Sequence, residues 1–258
     1  MEQKNLHPLY PFKDSQSGKW GFKNNKDEVV VSPCWWLVFH QFSEGMCPVI
    51  NDEKNVGFVD ETGKLVIPCN YVHALDFRDG LAKVQEGGTF KIGYINHQGE
   101  TVIPFKYRKG SDFEDGIATV STADGMWGTI NKKDETITPF LFYSPLSFDE
   151  GLSPVVNREG KWGYTDMAGN MVIPYKWDFA EFFMQGLATV RNDNGKCGYI
   201  DKEGNIVVPC IWKSAIPFGR NRKISYVKDS NGIYFEINLK GNIIRQLDSC
   251  PKNICIII

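Results

Sequence analysis

"KWGYTDMAGNMVIPYKW", residues 161–177, is said again thirty-five residues downstream as "KCGYIDKEGNIVVPCIW", residues 196–212. A stretch that recurs is a building block, and self-similarity at a period of about 20 to 50 residues marks a repeat architecture. The pair Trp162-Gly163 has counterparts at Trp20-Gly21, Val56-Gly57, Ile92-Gly93, Trp127-Gly128 and Cys197-Gly198, with a degenerate seventh copy at Tyr234-Phe235. The intervals are 36, 36, 35, 35, 35 and 37 residues, so seven copies fill the 258-residue chain as a single repeat domain over 1–258.

Other columns keep the same register. Six residues after the glycine comes a turn residue: Asp27, Gly63, Gly99, Asp134, Gly169, Gly204 and Gly241. Five further on comes proline, at Pro68, Pro104, Pro139, Pro174 and Pro209, with Pro33 one residue late. Counted from the proline, an aromatic column reads Trp36, Tyr71, Tyr107, Phe142, Trp177 and Trp212, and a phenylalanine column runs from Phe42 to Phe218. A glycine then opens "GLAKV", "GIATV" and "GLATV".

Each column has a physical task. "GYID" and "GFVD" alternate large and small or polar residues, as a half-buried strand requires. The Asp or Asn that follows bonds its own backbone, and the glycine after it supplies the positive φ of a tight hairpin. "NMVIP" is the return strand, which proline ends because it has no N–H to give. "GLAKV" is a third strand. Each copy is therefore a three-stranded antiparallel meander, with a linker "YxxAxxF" expected to form a short helical or 3₁₀ turn. One such unit buries too little apolar surface to stand alone, so the copies stack around a shared core.

The composition excludes several classes. Basic and acidic side chains balance at 29 and 31, with no long run of one sign, so no phosphate-tracking surface and no nucleic-acid partner is expected. No run approaches the eighteen or so apolar residues of a membrane helix, and the N-terminus has no apolar leader segment. The expected location is the cytoplasm, with the seven Cys mostly reduced. The apolar ending "CIII" suggests a chain that continues in a longer protein, because an exposed unpaired strand invites association.

With these residues in view the chain resembles the WG-repeat, or KWG-repeat, family. The motif "KWGYTDMAGNMVIPYKW" followed by "FMQGLATV" carries the likeness, with "KWGF" at 19–22 and "MWGTI" at 126–130 repeating it. The resemblance implies a bacterial binding or scaffolding unit and supplies no catalytic residues. Three copies keep the tryptophan, while Val56, Ile92, Cys197 and Tyr234 replace it, so it reads as a packing residue. Two arrangements suit the pattern: an open superhelical array of stacked meanders, the preferred one, and a seven-bladed propeller. Three strands per copy, where propeller blades usually have four, favours the open array.

Chemistry is hard to find. Cys34, Cys47, Cys69, Cys197 and Cys210 occupy repeat columns as small hydrophobes, and Cys250 and Cys255 have no zinc-like spacing. His7, His40, His73 and His97 fall in different columns, and no nucleophile elbow or HExxH helix is present. Glu44, Asp79, Asp115 and Glu150 precede the "GLA" glycine, and Asp60, Asn96, Asn131, Asp166 and Asp201 start the hairpins. Both columns read as turn caps rather than calcium ligands, whose donors crowd into about a dozen residues. No catalytic residue, metal site or cofactor is expected.

Function is sought where a copy breaks the column rule with an exposed apolar group. Four aromatics do so: Trp35, where other copies have Asn70, Lys106 or Lys176; Tyr143, opposite Arg108 and Lys213; Phe179, opposite Lys109 and Ser214; and Phe182, opposite Asp76 and Asp112. They point to a patch that binds another protein. The alternative is a carbohydrate- or small-ligand-binding array with repeated aromatics as stacking platforms. An enzyme requires a site assembled from distant copies.

Overall fold

The structure is a computed structural model and describes residues 9–39 and 41–249. His7, His40, Cys250, Cys255 and the terminal "ICIII" lie outside the described residues. The chain divides into two compact units, Met1–Gly125 with Thr129–Thr136 and Met126–Gly128 with Ile137–Ile258. Among the described residues all regular structure is β, arranged as seven antiparallel sheets, none closed into a barrel. No helix among them is long and apolar enough to cross a membrane.

Each sheet is a meander in sequence order. The first holds Tyr10–Lys13, Trp20–Lys23 and Val29–Trp35, and the second Leu37–Val38, Met46–Ile50, Val56–Asp60 and Leu65–Tyr71. The third holds His73–Arg78, Leu81–Gln85, Ile92–Ile95 and Thr101–Tyr107. Trp162–Thr165 lies between Ser153–Val156 and Met171–Trp177 in the fifth sheet, and the sixth and seventh sheets end on Ile206–Trp212 and Ile243–Leu247. The Trp-Gly strand is always internal and the return strand is always an edge.

The glycine explains a bulge. Opposite it the ladder skips, so that Trp162 faces Trp177 while Tyr164 faces Ile173. A Cβ on Gly163 would lie 2.5 Å from the Ile173 carbonyl oxygen, so only glycine lets the return strand bow across it. The seventh copy supplies the control. Phe235 replaces the glycine, and Phe235 and Glu236 pair with Gln246 and Arg245 without a skip.

Two expectations are corrected. The linker does not form a helical turn. It runs extended and adds a further strand, such as Phe179–Ala180 or Ser214–Ala215, on the free side of the next sheet, so five of the seven sheets have four strands. Strand number therefore does not separate the two arrangements weighed from the sequence. In the three-stranded fifth sheet, Pro145 stands where other copies have Gly110, Ala180 and Ala215, and it has no N–H to give.

The second correction concerns the first copy. Trp20 pairs with Trp35, the same separation as Val56 with Tyr71 and Cys197 with Trp212. Trp35, not Trp36, therefore occupies the aromatic column. Ser32 takes the position of Pro68, and the extra residue of this copy lies in the linker between Val38 and Phe42, since Val38 and Ala74 hold equivalent pairings. Counting from Pro33 shifts the column by one residue.

In five of the copies the core is built around an aromatic pair, Phe22–Phe42 being the first, while the fourth and seventh copies have Thr129 and Glu236 at the middle-strand position. The middle-strand ring meets the linker phenylalanine in Phe58–Phe77 at 5.0 Å, Tyr94–Phe113 at 4.9 Å, Tyr164–Phe183 at 4.8 Å and Tyr199–Phe218 at 5.1 Å. Where the ring is tyrosine its hydroxyl donates to a linker carbonyl: Tyr94 to Ser111, Tyr164 to Glu181 and Tyr199 to Ile216. The buried phenol is thereby satisfied.

Candidate functional site

Beyond the ladder aromatic the chain crosses to the next sheet. The N–H groups of Trp36, Val72, Asp178 and Lys213 donate to Ile50, Gln85, Arg191 and Lys228, which fixes the backbone and turns this column outward. Trp36 is 45% exposed and Tyr143, in the same column, 41%; Phe179, one residue further along, is 36% exposed. Each carries a cation on its ring: Lys54 lies 3.0 Å from the Trp36 centroid, Arg158 5.1 Å from Tyr143 and Arg191 5.5 Å from Phe179.

Within the C-terminal unit these groups form one surface. Arg158 and Lys161 belong to the hairpin loop closed by the Asn157 N–H and the Lys161 carbonyl. Lys161 donates to Asp178 at 2.6 Å, and the next residue, Phe179, meets Trp162 edge-on at 5.8 Å. Tyr143, Arg158, Lys161, Asp178, Phe179, Trp162 and Arg191 are thus continuous across two copies.

Of the residues singled out in the sequence, Tyr143 and Phe179 lie on this surface. Trp35 does not belong to an exposed patch. It is half-buried against the core of Leu9, Phe22 and Val38, and its neighbour Trp36 is the exposed ring. Phe182 is half-buried beside the fully buried Phe183. Arg158 and Arg191 were missed, because their meaning depends on which ring they cover.

The acids separate into two roles. The hairpin acids cap their own loops, as when Asp201 Oδ1 accepts from the Glu203 and Asn205 N–H groups. The acids before the "GLA" glycine reach the next copy instead. Glu44 accepts from the Gly80 N–H at 3.0 Å, Asp79 from Gly116 at 2.6 Å and Glu150 from Gly186 at 3.0 Å. A cation from the copy after that completes two of them, Lys132 on Asp79 and Lys202 on Glu150, and His97 approaches Glu44 in the same way. The Lys132 contact and then the Gly116 N–H hold Asp79 below the usual carboxylate range. Burial raises Glu150, but the Gly186 N–H, Lys202 and the Gln185 N–H outweigh it and leave it lowered.

Burial, and next the Asp76 charge, pushes the Cys47 thiol up to about 12, which keeps it a thiol. Among the described residues no three of His, Cys, Asp and Glu are grouped to hold a metal ion.

A search of curated proteins gives no match. Among solved structures, a eukaryotic initiation factor is 10% identical over 95% of this chain and 74% of its own, with a TM-score of 0.51. BamB from Moraxella catarrhalis is 11% identical over 96% and 89%, with a TM-score of 0.40. Hsv2 from Kluyveromyces lactis is 10% identical over 76% and 71%, with a TM-score of 0.41. Of the three, the first supports a likeness of fold, and its identity extends that likeness no further. The profile of the WG containing repeat matches residues 57–90, 92–124, 127–162, 162–197 and 198–231. Five matched copies in the register of the ladders, over most of the sequence, show that the chain belongs to the WG-repeat family.

Proposed function

We propose that this chain is a non-enzymatic scaffold that works in the cytoplasm and binds another protein through the exposed aromatic residues beside its linkers. The observation that carries the reading is the continuous surface of Tyr143, Trp162 and Phe179 with Arg158 and Arg191. Aromatic and arginine side chains dominate binding energy at protein interfaces. A glycan-stacking array would need open ring faces in several copies. Here the exposed Trp36, Tyr143 and Phe179 carry cations and the repeated Trp20, Trp127 and Trp162 are half-buried, which favours the protein-binding reading. The test is affinity capture from cell lysate with the wild type and with Tyr143→Ala/Phe179→Ala, after circular dichroism shows both folded. A protein held by the first and lost by the second supports the reading, and equal recovery sinks it.

A further inference from the structure

The aromatic surface of the C-terminal unit is also chemically biased. Arg158 and Arg191 are exposed, and each guanidinium lies over a ring. Neither guanidinium takes part in a hydrogen bond or ion pair among the described residues. Other arginines of the same unit are committed: Arg220 donates to Asp149 at 2.8 Å and Arg245 to Glu236 at 2.9 Å. The nearby carboxylate of Asp178 is held by Lys161 at 2.6 Å and is not shared with either arginine. A stacked guanidinium keeps its planar fork of N–H donors free at the rim, which matches a carboxylate bidentately.

We propose that this surface takes an acidic segment of a partner protein, with Asp or Glu side chains received by Arg158 and Arg191 and an apolar side chain between them seated on Trp162 and Phe179. This rests on the protein-binding reading and specifies the chemistry of the partner. A nucleic acid would meet the same two arginines, but Asp178 adjoins Phe179, exposed Glu159 directly follows Arg158 and exposed Asp193 stands two residues after Arg191. A phosphodiester chain is repelled there, whereas a peptide places its charges only where the arginines stand.

The test uses the full chain and fluorescence anisotropy. The probes are a short fluorescein-labelled peptide alternating Glu with Phe, its Gln-for-Glu counterpart, and single-stranded oligothymidine. The proteins are the wild type, Arg158→Gln/Arg191→Gln and Tyr143→Ala/Phe179→Ala. Glutamine keeps part of the stem over the ring and removes the charge. The expected result is binding of the acidic peptide alone, weakened roughly tenfold or more by the arginine variant and by added salt. Equal binding of the Gln peptide, or an unchanged affinity in the arginine variant, overturns the acidic partner. If the aromatic variant still loses binding in that case, the protein-binding surface stands. Binding that neither variant alters overturns both readings. Preference for oligothymidine, or no binding of the acidic peptide, overturns the proposal.

Discussion

Tyr107 and Trp177 occupy one column and differ in how their polar atoms end. The Tyr107 hydroxyl donates to Asp134 at 2.7 Å, whereas the indole nitrogens of Trp35, Trp177 and Trp212 are buried without an acceptor. The hairpin position that holds Asp134 in one copy holds Gly63, Gly204 and Gly241 in the copies facing the tryptophans, so no carboxylate is there to receive the N–H. Tyr107→Phe removes a hydrogen bond to a charged group and is expected to cost about 1.5 kcal/mol. Trp177→Phe loses apolar area but also relieves an unsatisfied donor, so it should stay within about 0.5 kcal/mol of wild type. Urea denaturation midpoints compare the two, and a loss at Trp177 as large as that at Tyr107 contradicts the account.

At the scale of the strand, the recurring proline does not end the return strand as expected but sits fourth of seven in the second to sixth copies, as Pro174 does in Met171–Trp177. Proline is tolerated there because the strand is an edge and its missing N–H faces away from the ladder. The same residue blunts the edge against pairing with other chains, and the bulge adds to this. The seventh copy lacks the proline and the skip at the glycine position: Ile243–Leu247 keeps only the register shift between Glu236 and Ile237, and it exposes Ile243 at 53% and Ile244 at 50%. By register Gln246 takes the position of Pro68, since Arg245 faces Glu236 as Ile67 faces Phe58. Gln246→Pro should therefore fold with stability within about 1 kcal/mol of wild type, while Thr165→Pro in an internal strand costs about 3 kcal/mol or more. Thermal melts followed by circular dichroism check this, and a collapse of Gln246→Pro would mean that its N–H is used within the sheet.

At the scale of the molecule, copies within each unit are joined by carboxylates that reach the next turn, Glu44 and Asp79 in the first unit and Glu150 in the second. The signal in the sequence was an acid every thirty-five or thirty-six residues, but what it contacts lies a full copy away. Asp79 and Glu150 are held below their ordinary values of 3.8 and 4.5 in the folded chain. A lowered folded value means that the stabilisation is fully present above the unfolded value and is lost as pH falls through the folded one. Stability should therefore be flat above about pH 5 and decline steadily below about pH 4. Asp79→Asn/Glu150→Gln should be less stable at neutral pH and less sensitive to acid. Urea midpoints from neutral to acidic pH measure it, and parallel curves for the two proteins would remove these carboxylates from the explanation.

The sequence by itself determined the repeat, the hairpin chemistry and the all-β class. Each of these depends on chain neighbours: a glycine three residues after an Asp, or an alternation within one strand. Tertiary structure decided what faces what. A slip of one residue exchanges the two faces of a strand, so only the ladder register could place Trp35 inside and Trp36 outside. Only the adjoining sheet could draw the linker into a fourth strand. Arg158 and Arg191 read as ordinary surface charges until Tyr143 and Phe179 are seen beneath them. Contacts between copies depend on how strands pair and stack, and spacing along the chain does not encode that geometry.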